Sequence, residues 1–201
     1  MLGAFQIAEK ALAVPGASDA LSARLIEAHG HPCVYIGSYA TAASRFGITD
    51  TGLLSMEALV AQARTLTTAV RVPVIADAES GFDDPGATVR AFEDCGVAAI
   101  HIEDHTGAGK HTSAAQTLRP AQEAGADMVV PTMVGGAELA EVRRRIDKPL
   151  MIVDNPGEQH AGAAIVLYYA FSITRQFAAL QRALADGKLA SDPQPLEDFL
   201  G

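Results

Sequence analysis

The sequence predicts a parallel α/β fold, and two regularities carry that prediction. In four places a glycine precedes a short apolar, β-rich run: Gly30-His-Pro-Cys-Val-Tyr-Ile36, Gly96-Val-Ala-Ala-Ile-His-Ile102, Gly125-Ala-Asp-Met-Val-Val130 and Gly162-Ala-Ala-Ile-Val-Leu167. Glycine just past a helix end supplies a left-handed cap, and a run that is apolar throughout suits a strand covered on both faces. Between these runs lie stretches of helical spacing. Strand alternating with helix gives a parallel sheet, either doubly wound or closed into a barrel. A chain of 201 residues is long enough for one such domain with a sizeable core.

Taken in order, Ala11-Leu-Ala-Val-Pro15 is the first strand, and Ser18 or Asp19 caps a helix whose apolar positions include Leu21, Leu25 and Ile26. After the Gly30–Ile36 strand, Met56, Leu59, Val60 and Ala63 mark the next helix. Val72-Pro-Val-Ile-Ala76 is the third strand, and Asp83-Asp84-Pro85 starts a helix, since acids and an N1 proline both favour a helix N-terminus. The Gly96–Ile102 strand follows. From Asp104 to Met128 the chain is loop-like, with only a short helical piece ending at Ala124. Beyond the Gly125–Val130 run, Leu139, Val142 and Ile146 define a helix with Arg143-Arg144-Arg145 on its solvated face. Lys148-Pro-Leu-Met-Ile-Val153 and the Gly162 run complete the strands. They are too close for an ordinary crossover, which takes at least about 10–12 residues. No linker interrupts the pattern, so residues 1–188 form one domain, and 189–201 are a tail whose Leu189–Pro195 stretch is extended and exposed. The reading yields seven strands, where a (β/α) barrel has eight and typically about 250 residues.

Composition narrows the function classes. With 49% hydrophobic and 19% charged residues the chain is an ordinary globular protein. A formal charge of -9 and a pI near 5.0 exclude a nucleic-acid or anionic-membrane surface. The same charge obliges an anionic substrate to find a local positive centre. Cys33 and Cys95, far apart and in apolar settings, read as reduced thiols of a cytoplasmic protein. No run reaches membrane-span length and the first residues lack a signal-peptide pattern.

Chemistry gathers at the C-terminal ends of parallel strands. The third strand there delivers Asp77-Ala-Glu79, with period-two alternation placing both carboxylates on one face. The fourth ends in Ile102-Glu103-Asp104, and the loop after the second carries Asp50. Converging carboxylates need a cation, and hard oxygen donors favour Mg²⁺ or Mn²⁺. Asp83 and Asp84 are assigned to helix capping instead. A competing zinc site would use His101, Glu103, His105 and His111, but His101 sits deep in the strand, where a histidine is more often satisfied by a neighbour. The stretch His105-Thr-Gly-Ala-Gly-Lys-His-Thr112 fails the phosphate-loop pattern, since Asp104 stands at the first glycine and His111 where Ser or Thr belongs. Its glycines suit a lid presenting Lys110 and His111.

These motifs resemble the isocitrate lyase/phosphoenolpyruvate mutase superfamily. PVIADAESGF is similar to its Asp-Ala-Asp-x-Gly-Tyr metal motif, AAIHIEDH to its Ile-Glu-Asp-Gln strand, and Val34–Tyr39 with Phe46–Gly52 to its substrate-carboxylate turn and acidic loop. AGADMVVP and VLYYAFSITRQFAAL resemble its sixth strand and its last strand with the following helix. The resemblance implies a (β/α)8 TIM-barrel type fold. It implies an Mg²⁺-dependent (or Mn²⁺-dependent) lyase-type activity that makes or breaks a C–C or P–C bond of a small 2-oxo or 2-hydroxy carboxylate or phosphonate through a metal-stabilised enolate. By position it implies metal ligation by Asp50, Asp77, Glu79 and Glu103, with Glu79 where aspartate is commoner. It implies substrate binding by Tyr35, Gly37, Ser38, Tyr39 and Asn155, a catalytic lid carrying Lys110 and His111, and a homo-oligomer in which the helix from Ser172 to Asp186 is exchanged between subunits.

Departures from the pattern are informative. Gly109-Lys-His-Thr-Ser113 lacks the catalytic thiol of the lyase lid and lies nearer the mutase, hydrolase and decarboxylase type. The fifth strand, with its Ala-Arg-Thr-Asp motif and adjoining helices, is missing around Arg119–Gln122, and most of the helix between strands seven and eight is missing after Gly157-Glu158. An alternative reading is therefore a catalytically impaired scaffold without the substrate-binding arginine strand; the zinc-dependent hydrolase is a third.

Overall fold

In the computed structural model, which describes residues 11–52, 54–103, 125–131, 136–154 and 162–201, six parallel strands pair in two sheets. The strands are β1 (Leu12–Pro15), β2 (Val34–Ile36), β3 (Val74–Asp77), β4 (Ala99–His101), β5 (Met151–Val153) and β6 (Ile165–Tyr168). One sheet runs β1-β6-β5 and the other β2-β3-β4, and a parallel bridge between Gly16 and Tyr35 joins them. A second bridge sets Val129 beside Leu150, just before β5. The order is thus β4-β3-β2-β1-β6-β5 followed by Val129, the cyclic order of a (β/α) barrel. Among the described residues no strand joins β4 to the Val129 segment. The expected loss of a fifth strand falls on 104–124 and that of the later helix on 155–161, both outside the described residues.

The helices are α1 (Ala20–Ala28), α2 (Ser38–Thr41) continuing into a π-helical turn (Ala42–Phe46), α3 (Met56–Ala69), α4 (Pro85–Asp94), α5 (Gly136–Arg145), α6 (Phe171–Ala185) and α7 (Gln194–Leu200). Their starts obey the expected chemistry. Asp19 caps α1 through a reciprocal pair with Ser22, and Asp84 caps α4 with Pro85 in the first turn. The four glycines that precede strand runs all adopt left-handed φ: 82° at Gly30, 83° at Gly96, 94° at Gly125 and 74° at Gly162.

Alternation along the strands divides the core. Val34, Ile36, Val74 and Ala76 face outward, where they pack with Ile26 of α1, Leu59, Ala63 and Leu66 of α3 and Phe92 of α4. On the other side Val129, Ile152 and Val166 pack with Leu139 and Val142 of α5. The inward residues Val14, Tyr35, Ile75, Met151, Ile165 and Leu167 fill the interior. Burying each such side chain stabilises the fold by about 1.5–3 kcal/mol. Next in the inward series, at the open end of the strands, come Asp77 and His101, and these are polar.

Three details differ from the sequence expectations. The Gly125–Val130 run supplies one bridged residue, Val129, not a full strand. Ser38 to Phe46, to which the sequence pattern assigned no element, is helical. In the tail, residues 189–193 are exposed and without regular structure as expected, but Gln194–Leu200 forms α7, whose Phe199 ring lies 5.4 Å from the Arg24 guanidinium of α1.

Candidate functional site

Parallel pairing of β3 and β4 puts Asp77 directly opposite His101. Side chains at such a position share a face, so both point inward at the mouth. His101 Nε2 lies 3.4 Å from Asp77 Oδ1 and 4.0 Å from Glu103 Oε1. Asp77, His101 and Glu103 each offer one donor atom within 4.8 Å of the others, an arrangement able to hold a metal ion. The histidine expected to be an ordinary core residue therefore belongs to the acidic cluster. Alternation from Ala99, which packs inward, through His101 to Glu103 was the signal for it. His105 and His111, the other members of the zinc reading, lie outside the described residues.

Asp77 is only 7% exposed and is surrounded by donors. Its Oδ1 accepts the Glu79 backbone N–H at 2.9 Å. Its Oδ2 faces the Ser38 hydroxyl at 3.2 Å, the Ser38 N–H at 3.4 Å and the Tyr35 hydroxyl at 3.5 Å. The Ser38 hydroxyl also lies 2.8 Å from Asp50 Oδ2. A single hydroxyl has one proton, so Ser38 donates to one carboxylate at a time and ties the two acidic segments together. Ser38, expected among the substrate-binding residues, directs both its N–H and its hydroxyl at Asp77 Oδ2. Tyr35 is buried, and that burial first, then the Asp77 charge, hold its hydroxyl well above the ordinary phenol range, so it remains a donor. Its ring stacks on His101 with centroids 5.9 Å apart and planes 2° from parallel.

Glu79 reaches the cluster by a different route from the expected one. Strand β3 ends at Asp77, and Glu79 takes a left-handed φ of 50°, so alternation does not place it. A non-glycine residue there is uncommon and carries backbone strain of order 1–3 kcal/mol. The Glu79 carbonyl accepts the Glu103 N–H at 2.7 Å, which couples the two loop ends. Its carboxyl is pushed up to about 7, by burial first and then by the Asp77 charge. Glu79 Oε1 and His101 Nδ1 are buried without a hydrogen-bond partner among the described residues.

The remaining candidates are placed as follows. Gly37 precedes α2 in extended backbone, and Tyr39 is 40% exposed at the mouth, where its ring meets Tyr169 edge-on at 5.5 Å. Lys110, His111 and Asn155 lie outside the described residues.

Comparison with known proteins bears on the family and the fold. Residues 2–122 match the phosphoenolpyruvate phosphomutase family. The chain is 43% identical over 99 residues to 2,3-dimethylmalate lyase of Eubacterium barkeri, covering 48% of this chain and 34% of that protein. It is 40% identical over 95 residues to isocitrate lyase of Haloferax volcanii, covering 46% and 28%. These matches span about a third of the relatives' own length. The fold superposes on a crystal structure of 2,3-dimethylmalate lyase with a TM-score of 0.83 at 22% identity, over 96% of this chain and 90% of that one. The chain belongs to the phosphoenolpyruvate phosphomutase family, within the isocitrate lyase/phosphoenolpyruvate mutase superfamily.

Proposed function

We propose that the chain is a divalent-metal-dependent lyase-type enzyme acting on a small 2-oxo or 2-hydroxy carboxylate, with C–C or P–C bond making or breaking as its chemistry. The observation that carries this reading is the convergence of Asp77, Glu103 and His101 at the strand ends, with Glu79 beside them. The donor set fits a divalent cation: carboxylate oxygens crowd one mouth, and Glu79 Oε1 is buried there with no partner among the described residues. When bound, the cation supplies positive charge opposite the negative charge that develops on the substrate's 2-oxo oxygen.

The protein's own residues do the rest. Tyr35, Ser38 and the Glu79 amide hold Asp77 in one orientation, and Ser38 reaches Asp50 as well. Gly37 and Tyr39 flank the space where the substrate carboxylate binds, with Asn155 assigned to the pocket from its sequence position. Lys110 and His111 are assigned the covering and proton-transfer roles. Phe177, Leu180 and Leu184 of α6 are 64–67% exposed at helical spacing, which supports the reading that α6 packs on a second copy in a homo-oligomer. Among the described residues no helix is long and apolar enough to cross a membrane. The two buried cysteines suit a reducing compartment such as the cytoplasm.

The test is product formation from oxaloacetate, malate derivatives and phosphonopyruvate with Mg²⁺ or Mn²⁺. Turnover that requires metal and is lost in Asp77→Ala supports the reading. Metal binding without turnover of any of them would leave the impaired scaffold as the better account.

A further inference from the structure

We infer that Ser18 and Gln62 are positioning residues, through which the seat of α6 sets the place of the α2 start (Gly37 to Tyr39) that flanks the substrate. This rests on the function proposed above and concerns how its site is held. Ser18 lies in the loop between β1 and α1, where α3, the π-helical turn and α6 converge on it. Its carbonyl accepts Gln62 Nε2 of α3 at 2.8 Å and the Ser44 hydroxyl of the π-helical turn at 3.1 Å. A carbonyl has two lone pairs, so both bonds form together. The Ser18 hydroxyl accepts the Ser172 hydroxyl of α6 at 3.1 Å. It lies 3.2 Å from both Gln176 Oε1 and Asp19 Oδ2 and donates its one proton to either. Gln176 Nε2 donates to Asp19 Oδ2 at 3.0 Å, and the Ser172 N–H to the Gly16 carbonyl at 3.2 Å.

Packing alone does not call for this arrangement. Ser18, Ser172 and Gln62 are all buried, and Gln62 lies on the face of α3 that otherwise buries Leu59, Ala63 and Leu66. An amide there carries a desolvation cost that a leucine would not. What the amide adds is direction: it ties α3 to the same carbonyl that holds the π-helical turn. That turn continues α2 without a break, and α2 opens at Ser38, whose N–H and hydroxyl face Asp77. Single π-helical turns recur at functional sites. On the other side of Ser18, the first turns of α6 are latched through Ser172 and Gln176, whereas Phe177, Leu180 and Leu184 further along are exposed. A displacement of α6 therefore moves the Ser18 segment, and with it the turn beside the substrate.

Two readouts on the full chain test this. The first is hydrogen–deuterium exchange over residues 37–46 without added ligand. Gln62→Leu and, separately, Gln176→Leu should each speed exchange there severalfold. Gln62→Leu leaves the Ser18 carbonyl bonded to Ser44, so no buried acceptor is orphaned. Thr67→Val removes a 2.6 Å bond to the Cys95 carbonyl from the last turn of α3 and should leave exchange at 37–46 unchanged. The second readout is oxalate affinity with Mn²⁺ present, by calorimetry. Each of the two glutamine variants should bind about three- to tenfold more weakly, the worth of one net hydrogen bond. Because both act through Ser18, the double variant should bind no more weakly than the worse single one. Should Gln62→Leu fail to fold, Ser44→Ala, at an exposed position, takes its place in both readouts. Exchange at 37–46 that ignores Gln176→Leu, or losses of affinity that multiply in the double variant, would overturn the inference. Unchanged oxalate affinity in both single variants would overturn it while leaving the proposed site standing. No oxalate binding by the unmodified protein would remove the proposed site and the inference together.

Discussion

Replacing Gly16 with alanine should unseat the junction between the two halves of the barrel. A Cβ at Gly16 would lie 2.2 Å from the Tyr169 carbonyl oxygen, 2.8 Å from its carbon and 3.0 Å from the Tyr168 oxygen, all backbone atoms that cannot rotate away. Ordinary C···O contacts sit near 3.3–3.6 Å, so the seam must open by about 1 Å. That movement strains three interactions: Gly16 N–H to Tyr168 O at 2.9 Å, Ser172 N–H to Gly16 O at 3.2 Å, and the bridge from Gly16 to Tyr35. Overpacking costs about 1–3 kcal/mol, and one or two weakened hydrogen bonds add about 1 kcal/mol each. The reduced entropy of the unfolded chain returns about 0.4–1 kcal/mol. The net expectation is roughly 2–4 kcal/mol of destabilisation, read as a lowered urea midpoint at unchanged m by circular dichroism. Gly30→Ala is the control: its Cβ meets nothing within 4 Å, so only its left-handed φ of 82° matters, and it should cost about 1 kcal/mol. A Gly16→Ala loss below about 1 kcal/mol, or no larger than the control's, would refute the crowding argument.

Other expectations follow from the site and its supports. Gly37→Ala puts a Cβ 2.8 Å from the Tyr35 ring and hydroxyl, and because that ring is buried the clash should cost about 1–3 kcal/mol in denaturant titration. Thr88→Val removes a fully buried hydroxyl 2.8 Å from Gly81 O, the contact that ties α4 to the loop after β3, and should cost about 1–3 kcal/mol in the same assay. For pH, the folded Glu79 carboxyl sits at about 7 against an ordinary 4.5, so the folded state holds this proton more tightly than the unfolded one. The metal-free protein should then keep this contribution in full below about pH 4.5 and lose it as pH rises through about 7. A thermal-unfolding series in chelator should show that decline, and Glu79→Gln should flatten it.

The sequence displayed the framework well because the strands are apolar on both faces, so their inward and outward sides need no further information. Asp77 and Glu103 stood out since acids at the end of such runs have no packing role. What stayed hidden depends on contacts across the chain. His101 looked like a core histidine until the β3–β4 register set it opposite Asp77. The Ser38 link between Asp50 and Asp77 joins residues 12 and 39 positions away, and local spacing does not encode it. Glu79 obeys the turn and not the strand, and its φ of 50° is a backbone choice that a glutamate gives no hint of. In the tail, Asp192-Pro-Gln-Pro195 reads as extended because prolines dominate it, yet prolines at a helix start lose no needed N–H, and α7 begins there.

In the proposed function the acids at these strand ends form a metal site poised for a 2-oxo acid. Thermal unfolding with and without Mg²⁺ or Mn²⁺ plus oxalate, a stable mimic of the pyruvate enolate, tests it most directly. A ligand bound only by the folded state stabilises it by about 2.7 kcal/mol at a hundredfold excess over its dissociation constant. The account predicts a rise in Tm that needs both metal and oxalate and disappears in Asp77→Ala; an unchanged Tm at saturating ligand, or a rise of equal size in Asp77→Ala, would contradict it.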